Sequence, residues 1–153
     1  MFLVYIDSIP EEKKDKFQFN NIEVRTCWNT DENGTIVENC VLGFYHNVSN
    51  YINYSLKYNI SGEIKNLGAN PDTYIMINLF LYNSTGGSIL SDTPLKFYYG
   101  VVYQIPLGSS KNFSIEIFNK DDPDKESWEQ QVCKDFDEVE SYKIRAHDTG
   151  LNK

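Results

Sequence analysis

Three cysteines carry the most specific chemistry in this chain: Cys27, Cys40 and Cys133. Thiols crosslink, bind soft metals or act as nucleophiles, and their spacing separates these uses. Midway between Cys27 and Cys40 stands Asn33-Gly34. That dipeptide is the strongest local signal for a two-residue hairpin turn, because both residues tolerate positive φ. With the turn as centre, Glu32 faces Thr35, and stepping outward brings Cys27 opposite Cys40. Hydrogen-bonded and non-hydrogen-bonded pairs alternate from 32:35. The 27:40 pair is then a non-hydrogen-bonded one, with Cα atoms about 4.5 Å apart. That distance lies at the short end of the disulfide range. A Cys27–Cys40 bridge is therefore expected. It closes a short loop, contributes about 2–3 kcal/mol at most and pins the hairpin register. Cys133 is left over, either as a buried thiol or as a competing partner in the bridge. No Cys-x-x-Cys occurs, and His46 and His147 lack ligand spacing, so a thiolate metal centre is not expected.

Asparagine is the second informative residue type. Asn-x-Ser/Thr sequons occur at Asn33, Asn47, Asn53, Asn59, Asn83 and Asn112. The 16 Asn and 19 Ser and Thr of a 153-residue chain would give about two by chance. A threefold excess favours a glycosylated, secreted or surface-exposed chain. Compositional bias toward Asn, Ile, Tyr and Lys is the bland alternative. Asn33 falls on the expected hairpin tip, where a glycan has room.

Carboxylates offer the remaining chemistry. Asp121, Asp122, Asp124 and Glu126 are hard oxygen ligands in one loop and form a weak Ca²⁺ candidate. Pro123 interrupts their spacing and the EF-hand glycine is missing, so a solvated acidic loop is the stronger expectation. Paired carboxylates could also serve a hydrolase, but nothing in the sequence fixes their separation. No nucleophile elbow, phosphate-binding glycine loop or His-Glu-x-x-His is present. No catalytic residue and no cofactor is expected. Tyr98, Tyr99 and Tyr103 suit either a recognition face or an ordinary sheet.

These residues must be positioned by strands. Ile22 to Thr26 alternates with period two and leads into the hairpin, and Val41 to Tyr45 returns from it. Tyr54 to Lys65 puts Leu56, Tyr58, Ile60, Gly62 and Ile64 on one face. Turn residues follow over 66–72. Tyr74 to Tyr82 is apolar on both faces, which predicts a central strand covered on both sides. Asn83 to Gly87 reads as a turn, with a short strand near Ile89. Phe97 to Ile105 is a strand in which Gly100 suggests a bulge. Asn112 to Phe118 alternates again. Residues 120–138 are acidic, with a helical or irregular excursion around Ser127–Cys133. Glu140 to Ala146 is a final strand, and 147–153 a polar tail. About eight or nine short strands separated by turns predict an all-β chain, an immunoglobulin-like antiparallel β-sandwich with an extra N-terminal hairpin.

Length suits one domain with a sizeable core. Residues 1–16 form an N-terminal apolar and charged segment, and 17–153 a single sandwich domain. Aromatic residues make up 14% of the chain, too many for a disordered one. The net charge of -8 disfavours nucleic acid as a partner. No stretch is apolar for the roughly 18–20 residues that span a bilayer. Phe2 to Ile6 is apolar but short, and lacks a basic flank. It fits a first strand, or the start left once a signal or membrane anchor, absent here, has been removed.

Residues 60–118 resemble the FxLYD domain, a family of small β-sandwich modules of bacterial and archaeal envelope proteins. The resemblance rests on Gly62-Glu63-Ile64-Lys65-Asn66, then Tyr74 to Ile77 leading to Leu79-Phe80-Leu81-Tyr82-Asn83. It continues through Gly87-Ser88-Ile89 and Ile105-Pro106-Leu107-Gly108 to Phe113. Leu79 stands where the family has its namesake Phe, and Asn83 where it has Asp. The resemblance implies a sandwich core over about 54–146 and an envelope location, and it carries over no catalytic site.

The expectation is thus a non-catalytic, extracellular or cell-surface module whose partner is a protein or an envelope glycan. A homo-oligomer fits the same surface. An alternative is a filament or pilus-like subunit donating Phe2–Ile6 to a neighbour's sheet edge. A carboxylate-dependent hydrolase is a third.

Overall fold

The computed structural model describes residues 16–48, 51–83, 97–102, 104–126, 130–133 and 135–152, with the backbone alone for Glu32, residues 97–102 and Asn152. The Phe2–Ile6 segment, the Ser84–Gly87 turn, the strand near Ile89 and residues 127–129 lie outside this set. Seven strands are described: β1 (Phe17–Glu32), β2 (Thr35–Leu42), β3 (Lys57–Asn66), β4 (Thr73–Tyr82), β5 (Phe97–Val102), β6 (Ser110–Phe118) and β7 (Ser141–Asn152). They form two antiparallel sheets, β2-β1-β3-β6 and β5-β4-β7. No α-helix occurs among the described residues; single 3-10 turns lie at Asn53–Ser55 and Phe136–Glu138. The chain is all-β, as the alternating patterns predict.

One core joins the sheets. Leu56, Tyr58, Ile60 and Ile64 from the β3 segment and Phe113, Ile115 and Ile117 from β6 are buried in one cluster with Ile75, Ile77, Leu79 and Leu81 of β4. Period-two alternation sends each set to one face. Tyr58 lies at the centre. Its ring stacks on Phe136 at 3.8 Å, Phe44 meets it edge-on, and its hydroxyl donates to the Phe136 carbonyl at 2.6 Å.

Three sequence expectations need correction. First, the hairpin is no appendage: β1 is an interior strand, paired with β2 on one side and with β3 from Phe17 to Cys27 on the other. Its alternation is hidden by a bulge. Asn20 faces Glu63 and Glu23 faces Ser61, so Asn21 and Ile22 both oppose Gly62. Asn21 takes φ 55°, which Asn accepts at low cost. A Cβ on Gly62 would lie 2.7 Å from the Ile22 Cδ1 and 3.1 Å from the Asn20 carbonyl oxygen, so the bulge leaves little room for a side chain there.

Second, the outer face of β4 is not sealed like a core. Tyr74, Met76, Phe80 and Tyr82 are half-buried. Long cationic side chains of β7 cover part of it: Arg145 lies over Phe80 and Lys143 over Tyr82. Third, the polar tail is strand. β7 runs to Asn152, with a register shift opposite Thr73–Ile75, and Thr149 donates its hydroxyl to the Tyr74 carbonyl at 2.9 Å. Polar residues suit an exposed edge strand, so their polarity did not mark an end. Of the two forms expected around Ser127–Cys133, residues 130–133 take the irregular one: Val132 makes one parallel bridge to Phe118. The expected Gly100 bulge is present, since Val101 faces Met76 while Tyr98 faces Asn78.

Candidate interaction surface

The chemically distinctive region is the β1–β2 hairpin. Asn33 and Gly34 take φ 55° and 80°, the left-handed pair that a two-residue primed turn requires. Glu32 faces Thr35 and Cys27 faces Cys40. The disulfide Cys27–Cys40 is formed, with Cα atoms 4.1 Å apart. That spacing is nearer the non-hydrogen-bonded class than the hydrogen-bonded one. The backbone N–H and C=O of Cys40 therefore point away from β1. Cys133 is not part of the bridge; it is a free thiol buried in the core. Burial pushes it up to about 11 from an ordinary 9.0.

β2 is the outermost strand of its sheet. Every one of its residues is exposed. Ile36 is 61% exposed, Val37 44%, Val41 37% and Leu42 73%, so four large apolar side chains flank an edge with no strand on its far side among the described residues. An edge of this kind is a ready template for another strand.

Beside the disulfide, on the outer face, lies a charged cluster. Lys57 sits opposite Cys27 and contacts the carboxylates of Glu116 and, at 3.5 Å, Glu38. Burial alone would lower its pKa, but the two carboxylates outweigh that and raise it. The adjoining notch holds about 100 Å³ and includes Tyr54 and Asp122. It is too small for a sugar ring with its substituents, and the acids Glu38 and Glu116 are committed to Lys57. Cys27, Glu38 and Cys40 also group closely, but the disulfide occupies both sulfurs, leaving no thiolate for a metal.

The other sequence candidates fall elsewhere. Asp121, Asp124 and Glu126 are exposed and Asp122 half-buried. No three of these carboxylates come within mutual ligand distance. Asp122 instead organises a turn: its side chain accepts from the Asp124 N–H at 2.9 Å, and its own N–H donates to Gln130 at 2.6 Å. Among the sequons, Asn33, Asn47, Asn53 and Asn112 are exposed. Asn59 and Asn83 are half-buried, and the Asn59 amide donates to Ser114 Oγ at 2.8 Å. His46 and His147 have separate partners, the Val139 carbonyl and the Asn78 amide. The backbones of Tyr98 and Tyr99 lie in β5, and Tyr103 is outside the described residues.

Sequence reasoning missed the exposed apolar edge. Ile36, Val37, Val41 and Leu42 look like core residues when read along the chain, and only strand order reveals that no described strand covers them. It also missed Asn66, which is fully buried. Asn66 donates to the carbonyls of Ala69 and Ile105 and accepts from the N–H groups of Gly68 and Ala69. Comparison of the chain with protein-family models, curated proteins and solved structures finds no match in any of the three.

Proposed function

We propose that this chain is a non-catalytic, extracytoplasmic β-sandwich module, immunoglobulin-like in its sheet arrangement, that binds protein or glycan partners at the cell surface. The observation that carries this is the disulfide-pinned hairpin, whose outer strand has four exposed apolar side chains and no neighbour on its far side among the described residues. Disulfides of this type persist in oxidising compartments. A long apolar edge would be a liability unless it met a partner. Four exposed sequon asparagines support the same location, which the resemblance of residues 60–118 to the FxLYD family also implies. Treating intact host cells with a membrane-impermeant amine reagent tests the proposal. The chain should be labelled on intact cells or recovered from the medium; labelling only after lysis would overturn it.

One observation favours the strand-donating filament subunit as a second reading. A cavity of about 370 Å³ opens between the start of β1 and β7, lined by Phe17, Phe19, Ile144, Arg145 and Ala146. Phe17, Phe19 and Ile144 are the apolar side chains on which a strand such as Phe2–Ile6 of a neighbour would seat. Deleting residues 1–9 separates the two: assembly lost with the fold intact favours donation, and unchanged assembly excludes it.

A further inference from the structure

We propose that β2 is a self-pairing edge, at which two copies of this chain join antiparallel about a two-fold axis at Asn39, fusing their four-stranded sheets. This rests on the interaction-module reading and names the partner.

The pairing frame follows from the hairpin. Glu32 and Thr35 flank the two-residue turn and share hydrogen bonds, so the alternation aims the backbone groups of Thr35, Val37, Asn39 and Val41 at β1. Ile36, Glu38, Cys40 and Leu42 then present their N–H and C=O groups at the edge that no described strand occupies. Two such edges laid antiparallel hydrogen-bond wherever outward residues meet outward residues. A two-fold axis at Asn39 does this throughout β2: Ile36 meets the partner's Leu42, and Glu38 meets the partner's Cys40.

Side chains select this register. It sets Ile36 against Leu42 on one face and Val37 against Val41 on the other, so all four exposed apolar residues gain apolar partners across the axis. Centring the axis on Glu38 would oppose two glutamates directly, which is unfavourable. Centring it on Cys40 would carry Ile36 and Val37 past the end of the partner strand. The edge also suits self-association electrostatically. Glu38 is the only charged residue of β2, and Lys57 lies 3.5 Å from its carboxylate. The Cys27–Cys40 disulfide holds the strand in the frame that the pairing needs. One strand buries less area than a standard interface, so the dimer should be weak and concentration-dependent.

Sedimentation of the full, oxidised chain from about 1 µM to about 1 mM is the first test. A monomer–dimer equilibrium is expected, strengthened by salt because two chains of net charge -8 repel. The double variant Ile36→Lys, Leu42→Lys alters only exposed side chains, and should weaken the dimer at least tenfold with an unchanged melting temperature. Register is tested by Asn39→Cys, which faces itself across the axis as a close, non-hydrogen-bonded pair. It should oxidise to a covalent dimer, whereas Val37→Cys, which faces Val41, should not. A chain monomeric throughout the series, a dimer indifferent to the double lysine variant, or equal crosslinking of both cysteine variants would each overturn the proposal. A monomer recovered as an exported glycoprotein would overturn self-pairing alone and leave the surface-module reading standing.

Discussion

Cys133 and Tyr58 tie stability to alkaline pH. The Cys133 thiol keeps its proton up to about 11 in the fold, chiefly through burial, whereas an exposed thiol titrates at 9.0. Burial raises the Tyr58 hydroxyl as well, with Asp137 adding to it. Between pH 9 and 11 the unfolded chain therefore holds fewer protons than the folded one, and stability falls as pH rises. Cys133 alone should contribute a loss of about 2–3 kcal/mol across that window. Urea unfolding at pH 8, 9.5 and 11 measures it, and a flat midpoint would contradict the burial. Two further side chains set local geometry. Asn66→Ala leaves four backbone groups without their partner and should cost about 3 kcal/mol or more. Gly62→Ala drives a methyl group into Ile22 and should cost about 1–3 kcal/mol. Thermal melts of both variants check these values.

At the scale of elements, the hairpin was the most legible part of the sequence. Asn-Gly fixes its own backbone conformation, and turn length then fixes register, so the Cys27–Cys40 pairing followed by counting. The strands at 57–66, 73–82 and 110–118 were legible because each buries alternate side chains. What failed depended on contacts distant in sequence. The bulge at Asn21–Ile22 exists only against Gly62, the continuation of β7 to Asn152 only against β4, and the exposure of β2 only once strand order is known. The candidate surface was thus half visible: its crosslink from spacing, its uncovered edge from topology. Reducing the disulfide, or replacing both Cys27 and Cys40 with Ser, should lower stability by about 2–3 kcal/mol while preserving the sheets. Urea titrations with and without reductant, followed by far-ultraviolet dichroism, would show the change in midpoint. An unchanged midpoint would mean that the turn and its cross-strand pairs hold the hairpin unaided.

At the scale of the whole molecule, the two sheets share one apolar core while polar and glycosylatable residues line the outside. Glycans, where attached, should follow exposure. Asn33, Asn47, Asn53 and Asn112 stand clear, while the Asn59 amide is engaged with Ser114. Peptide mapping should find Asn59 the less occupied. The intact mass of the protein from its native host tests the proposed export and crosslinking together. An exported, glycosylated chain should show a mass above its 17.7 kDa, an excess that glycosidase removes, and a gain of about 2 Da on reduction as one disulfide opens. An unglycosylated chain with three free thiols would contradict it, and the sequons would revert to an accident of composition.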